Sequence, residues 1–128
     1  MKILIVDDFS AMRRIVKTLL SELGFSNYDE ADDGATAWPL IKTGNYGFIV
    51  SDWNMPKMTG IELLQHVRAD AQLKATPFLL ITAEAKRSQI LGAAQSGVDG
   101  YLVKPFTAAI LNNEIEKIFK RLTEQKNA

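Results

Sequence analysis

Asp7, Asp8, Asp52, Thr82 and Lys104 are the residues whose types and placement could do chemistry together. Asp7 and Asp8 come after the apolar run Ile3–Val6, Asp52 after Phe48–Val50, Thr82 after Phe78–Ile81 and Lys104 after Tyr101–Val103. If these runs are strands of one sheet, three carboxylates, a hydroxyl and an ammonium converge on one rim. Close carboxylates repel, at about 1 kcal/mol per pair in water and about 4 kcal/mol at an effective dielectric of ~20. Lys104 offers one positive charge. A divalent cation offers two, and clustered carboxylate oxygens suit a hard ion such as Mg²⁺. The chain has no cysteine, and its only histidine, His66, lies in a helical pattern, so the sequence offers no ligand set for zinc or copper. With the repulsion offset, one carboxylate becomes a nucleophile for a phosphoryl group whose oxygens Lys104 and the Thr82 hydroxyl can bind. An acyl phosphate on an aspartate is the expected product.

Taken singly, each residue has a structural explanation. An Asp pair caps turns, a threonine suits a strand, and a lysine before proline suits a surface. Their shared position at strand ends is what favours a common site.

The elements that would position them follow from the apolar pattern. Five short runs are strand-like: Ile3–Val6, a weaker Tyr28–Ala31, Phe48–Val50, Phe78–Ile81 and Tyr101–Val103. The continuous runs ILIV, FIV and FLLI are those of strands buried on both faces, as in a parallel sheet covered by helices. Helical spacing separates them. Met12, Ile15, Val16, Leu19, Leu20 and Leu23 form one face, and Gly24 follows as a stop. Gly34 to Lys42 is a second helix with Asp33 as N-cap. Ile61, Leu64 and Val67 mark a third, Ile90, Leu91 and Ala94 a fourth, and Leu111, Ile115, Ile118, Phe119 and Leu122 a fifth. The polar tail from Thr123 is expected to fray. Strict alternation of strand and helix predicts an α/β, doubly wound, five-stranded parallel sheet flanked by five helices. Such sheets bind ligands beyond the C-terminal ends of their strands.

Composition agrees with one domain spanning residues 1–128 and no output domain. Lys and Arg together number 15, as do Asp and Glu, so the net charge is zero and no basic stripe points to nucleic acid. No apolar run reaches membrane-spanning length. A cytoplasmic monomer is expected.

The motifs VDDFSAMRR at 6–14, SDWNMPKMTG at 51–60, TAEAK at 82–86 and GYLVKPFTA at 100–108 resemble the response-regulator receiver domain, over essentially the whole chain. The resemblance implies a flavodoxin-like fold and a stand-alone regulator of a two-component system. It implies Asp52 as phosphoacceptor, and Asp7, Asp8, Asp52 and the backbone carbonyl of Asn54 as the Mg²⁺ site. It implies that Thr82 and Lys104 take the phosphoryl oxygens, that Thr82 and Tyr101 form the switch, and that Asn54 and Glu84 tune dephosphorylation. It implies further that Ala85, Lys86, Ile90, Tyr101, Val103 and Lys117 meet the partner, and that the Lys104–Pro105 peptide is cis. The DWNMP, TAEAK and PFTA stretches resemble chemotaxis receivers more particularly. They imply a CheA-type histidine kinase as donor, a FliM-type flagellar motor switch protein as target, and room for a phosphatase. Receivers of this kind catalyse only their own phosphorylation and dephosphorylation and are not classed as enzymes.

One departure stands out. Trp38-Pro39 falls within the second helix, where proline costs little in the first turn and about 3 kcal/mol or more beyond it.

Three other readings compete. A phosphorelay receiver would have the same site and pass its phosphoryl group to another histidine protein. A flavin carrier would need a phosphate-cradling loop where this chain has Asp7-Asp8-Phe9. A haloacid-dehalogenase phosphatase would carry a second Asp two residues after its nucleophile, where here Asp7 and Asp8 are adjacent.

Overall fold

The computed structural model describes residues 1–83 and 87–126, and all their side chains except those of 87–90 and 125–126. Among the described residues five strands and five helices alternate: β1 (Ile3–Val6), α1 (Ser10–Glu22), β2 (Tyr28–Ala31), α2 (Gly34–Gly44), β3 (Phe48–Asp52), α3 (Gly60–Ala69), β4 (Phe78–Thr82), α4 (Arg87–Gln95), β5 (Gly100–Val103) and α5 (Ala108–Lys126). All strand pairs are parallel, in the order β2-β1-β3-β4-β5. The doubly wound five-stranded sheet expected from the apolar runs is therefore the observed fold.

Strand alternation divides the core. Ile3, Ile5, Phe48, Val50, Leu79, Ile81 and Leu102 pack with Val16 and Leu20 of α1 and Leu111, Ile115 and Ile118 of α5. Leu4, Val6, Ile49, Phe78 and Leu80 pack on the other face with Ala37 and Ile41 of α2, Leu63, Leu64 and Val67 of α3, and Ala93 of α4. Both faces are covered, which is why β1, β3 and β4 read as unbroken apolar runs.

The starts of α2 and α3 follow local rules. The Asp33 carboxylate accepts from the Thr36 N–H at 2.7 Å, capping α2. Thr59 and Glu62 form a reciprocal capping box at α3. At the N-terminal rim of the sheet, Arg68 donates to the carbonyls of Gly97, Lys74 and Thr76 at 2.8, 3.1 and 2.7 Å and to Asp99 Oδ2 at 2.8 Å. The same carboxylate oxygen accepts from the Phe78 N–H at 2.7 Å, tying the approaches to β4 and β5.

Four details differ from the apolar pattern. Ile15 is 51% exposed, because it lies about 100° round the helix from buried Val16. Among the described side chains of α4 the buried one is Ala93, while Leu91 and Ala94 face solvent. The chain beyond Thr123 does not fray there but continues α5 to Lys126, with Phe119 and Leu122 packed on the core and the Thr123 hydroxyl donating to the Phe119 carbonyl at 2.9 Å. Asp52 and Thr82 are the last residues of their strands rather than the first beyond them.

Pro39 is the sixth residue of α2, past the first turn, and the helix runs through it. With no N–H at Pro39, the carbonyl of Ala35 loses its helical donor. Trp38 beside it packs on His66 of α3, with ring centroids 5.3 Å apart. Pro39→Ala should restore the donor and raise unfolding free energy by about 1–2 kcal/mol, after about 1 kcal/mol is given back through the freer unfolded chain. Denaturant melts of the two proteins measure this, and an unchanged or lower midpoint would contradict it.

Candidate functional site

Register brings the site together. Val6 lies opposite Ser51, so Asp7 and Asp52 leave β1 and β3 side by side at the C-terminal rim. On either side of β1 the chain winds onward in opposite directions, β2 to one side and β3 to the other. This is the crevice in which doubly wound sheets take their ligands.

Asp7 and Asp52 are buried and Asp8 is exposed. One carboxylate oxygen from each lies within 4.8 Å of the others. Among the described residues this is the sole group of three or more metal-type side chains so placed, and His66 is not part of it. The three donors are hard oxygens, a set that fits Mg²⁺.

Lys104 enters from the end of β5. Its ammonium lies 3.1 Å from Asp52 Oδ1 and 3.7 Å from Asp7 Oδ2. The Lys104–Pro105 peptide is cis, and the Lys104 N–H donates to the Thr82 carbonyl at 2.8 Å. Thr82 is buried at the end of β4, on the alternation shared by Phe78 and Leu80. Tyr101 pairs with Leu80 in the β4–β5 register and packs against that same core face. Thr82 and Tyr101 thus belong to one side of the sheet.

The backbone after β3 is pinned as well. Trp53 N–H donates to the Ile81 carbonyl at 2.8 Å, and Gly60 N–H to the Trp53 carbonyl at 2.9 Å. A Cβ on Gly60 would sit 2.2 Å from the Asp52 carbonyl oxygen, so only glycine allows α3 to start this close to the acceptor strand.

Burial pushes the Asp7 carboxyl above its ordinary pKa, the Phe9 N–H bond at 2.9 Å opposes this, and the neighbouring Asp52 charge adds to it. Burial likewise raises Asp52, against the pull of Lys104 and with a contribution from Asp8.

The structure brings together Asp7, Asp8, Asp52 and Lys104, with Thr82 at the adjoining strand end. Asn54 follows β3 and is exposed. Val103 is half-buried, and Lys117 is exposed on α5 with Glu114 4.0 Å away. Glu84, Ala85 and Lys86 lie outside the described residues, as does the side chain of Ile90. One residue at the site went unassigned in the sequence: Arg13, on the first turn of α1, whose guanidinium reaches the Asp7 carbonyl at 2.6 Å. It lies six residues after Asp7 and beside Arg14, and spacing alone does not tell the two arginines apart.

A family model described as the response regulator receiver domain matches residues 3–116. The chain belongs to this family. It is 66% identical over 122 residues to the chemotaxis protein CheY of Pseudomonas aeruginosa, covering 95% of this chain and 98% of that protein. It is also 66% identical to the chemotaxis protein CheY-3 of Vibrio cholerae, covering 95% and 94% of the two chains. Among solved structures it superposes on Vibrio cholerae CheY4 with a TM-score of 0.84 at 34% identity, covering 91% of this chain and 97% of that one. The Francisella response regulator 1452 receiver domain gives a TM-score of 0.82 at 36% identity, covering 94% and 98%.

The raised carboxyls carry a pH signature. Where a folded-state pKa lies above the unfolded value of about 3.9, the folded protein holds the extra proton between the two, and stability falls as pH rises through that window. The metal-free protein should lose stability in this way as Asp7 and Asp52 ionise. Asp52→Asn removes one of the two, so its thermal midpoint in EDTA should be higher at neutral pH and vary less with pH. Melts from about pH 4 to about pH 7 test this, and a midpoint below wild type across that range would show that pairing with Lys104 outweighs burial.

Proposed function

We propose that this protein is a response regulator of chemotaxis that accepts a phosphoryl group on Asp52 from a phosphohistidine. The observation that carries the reading is the ammonium of Lys104, 3.1 Å from a buried Asp52 carboxylate that shares its rim with Asp7 and Asp8. Two relatives named as chemotaxis proteins, each 66% identical over nearly the whole chain, support the setting.

Asp7, Asp8, Asp52 and the backbone carbonyl of Asn54 are the residues that would hold Mg²⁺. When bound, the ion supplies the positive charge that lets a carboxylate and a phosphoryl group approach. The chain's own residues do the rest. An Asp52 carboxylate oxygen forms the new O–P bond as the P–N bond to the donor imidazole breaks, and the imidazole nitrogen keeps the electron pair and takes a proton. Lys104 follows the charge from the free carboxylate to the phosphoryl oxygens, and the Thr82 hydroxyl donates to another oxygen. Hydrolysis reverses the state: water attacks phosphorus, the O–P bond breaks, and inorganic phosphate leaves with the Asp52 carboxylate restored. Asn54 and Glu84 tune that step. The protein is thus the substrate of its own chemistry rather than a multiple-turnover enzyme.

The donor is a CheA-type histidine kinase in the cytoplasm, and the phosphorylated form binds a FliM-type motor switch protein. Movement of Thr82 toward the phosphoryl group vacates space beside β4. Tyr101, on the same face of the sheet, turns inward to fill it. Packed alternatives of this kind are bistable. The partner then meets Ala85, Lys86, Ile90, Tyr101, Val103 and Lys117.

Incubation with acetyl phosphate and MgCl₂ should add one phosphoryl mass to wild type and none to Asp52→Asn or, at matched Mg²⁺, to Asp8→Ala. Full labelling of Asp52→Asn would remove Asp52 as acceptor. Thr82→Ala and Tyr101→Ala should each take the phosphoryl group yet lose at least about tenfold of the phosphorylation-dependent gain in affinity for a motor-switch peptide, roughly 1.4 kcal/mol. Wild-type gain in both would break the proposed route from site to surface.

A further inference from the structure

Arg13 is tied on two sides. Its Nη1 donates to the Asp7 carbonyl at 2.6 Å, and its Nε donates to Glu30 Oε1 at 3.1 Å. The other Glu30 oxygen accepts from Lys17 Nζ at 3.0 Å. Arg13 and Lys17 stand one turn apart on α1, and Glu30 stands on β2, so the three side chains bridge helix to edge strand directly beside the acidic rim. Glu30 is held below its ordinary pKa by the Lys17 hydrogen bond first and the Arg13 bond after it, so it stays an anion between two cations.

The Asp7 carbonyl is one end of the Asp7–Asp8 peptide plane. Fixing that oxygen fixes the direction in which the chain leaves Asp7 and hence where the exposed Asp8 carboxylate projects. The Asp7 side chain is already held by the Phe9 N–H and faced by Lys104, and its own N–H donates to the Ala31 carbonyl at 3.1 Å. Asp8, exposed at the rim, has no comparable burial to hold it.

We propose that Arg13, braced by Glu30 and Lys17, is a positioning residue for the acidic pair: it orients the Asp7–Asp8 peptide so that both carboxylates meet one divalent cation. The proposal rests on the Mg²⁺-dependent reading of the site. It differs from direct catalysis, since Arg13 touches the backbone of Asp7 and not the reacting atoms. Groups that orient metal ligands typically set affinity by about 10- to 100-fold.

The test is calorimetric titration of the unphosphorylated full chain with MgCl₂ alone, paired with phosphorylation rates from acetyl phosphate at limiting and saturating Mg²⁺. Arg13→Met should weaken Mg²⁺ binding by about tenfold or more, and saturating Mg²⁺ should recover most of its phosphorylation rate. Arg13→Lys, which can still donate to the Asp7 carbonyl, should recover part of the affinity. Glu30→Gln keeps the guanidinium but weakens its brace, and should show a smaller loss of the same kind. Arg68→Met removes a more heavily bonded arginine from the opposite rim and serves as the control for general destabilisation: it should lower the thermal midpoint and leave Mg²⁺ affinity unchanged. Mg²⁺ affinities within about twofold of wild type in folded Arg13→Met and Glu30→Gln would overturn the proposal, as would an equal loss in Arg68→Met. If Arg13→Met does not fold, Glu30→Gln alone decides. Absence of Mg²⁺ binding or of labelling in wild type would instead overturn the reading of the site itself.

Discussion

Three carboxylates share one rim of this protein, and the rest of the structure answers to their mutual repulsion. Two are buried, and burial raises both, so holding them ionised works against stability. Lys104 can offset only part of this, with one charge divided between Asp52 at 3.1 Å and Asp7 at 3.7 Å. A hard cation at this rim would supply the charge that Lys104 lacks, so on the proposed reading stability is exchanged for binding, as is common where a site must wait for its ligand.

The scaffold that holds the carboxylates together is stiff. Each sits at the end of a strand whose two faces are covered by helices, and the β1–β3 pair is locked in register from Ile3 to Val6. Close approach of α3 at Gly60 and the hydrogen bonds of Trp53 and Lys104 fix the backbone on three strands at once. The opposite rim is closed by Arg68, which spans the approaches to β4 and β5. On the proposed reading, change on phosphorylation falls at the side chains of Thr82 and Tyr101 on the α2–α3–α4 side, and not in the strands themselves.

The edge strand has a part that its weak apolar character conceals. β2 contributes one buried residue, Ala31, and otherwise presents Asp29 and Glu30 to solvent. Those charges anchor the two ends of the molecule differently. Asp29 accepts from the Tyr46 hydroxyl at 2.7 Å and lies 3.5 Å from Lys2. Glu30 braces Arg13 beside the acidic pair. A strand with little to bury earns its place through polar ties to its neighbours.

How much of this was legible beforehand depends on the range of the interaction. Continuous apolar runs mark strands buried on both faces, so β1, β3 and β4 could be read directly, and the alternation of strand and helix implied the doubly wound sheet. Strand ends in such a sheet share one rim, so Asp7, Asp8, Asp52, Thr82 and Lys104 could be brought together before any coordinates. The cap at Asp33 was legible too, because capping is settled within four residues. What tertiary structure alone decided lies in the angles and partners between elements. Ile15 satisfies helical spacing yet faces solvent, because only packing on β1 and α5 selects the centre of the buried stripe. The end of α5 runs on to Lys126 because Phe119 and Leu122 find the core, which the polar residues around them do not announce. Arg13 could not be assigned from its neighbours, since its role depends on an edge-strand glutamate 17 residues away in sequence and on the carbonyl of Asp7. Residue type and spacing name the groups that can react. The distances that make Lys104 reach both Asp52 and Asp7, and Arg13 reach both Asp7 and Glu30, exist only when separate strands and helices are packed against one another.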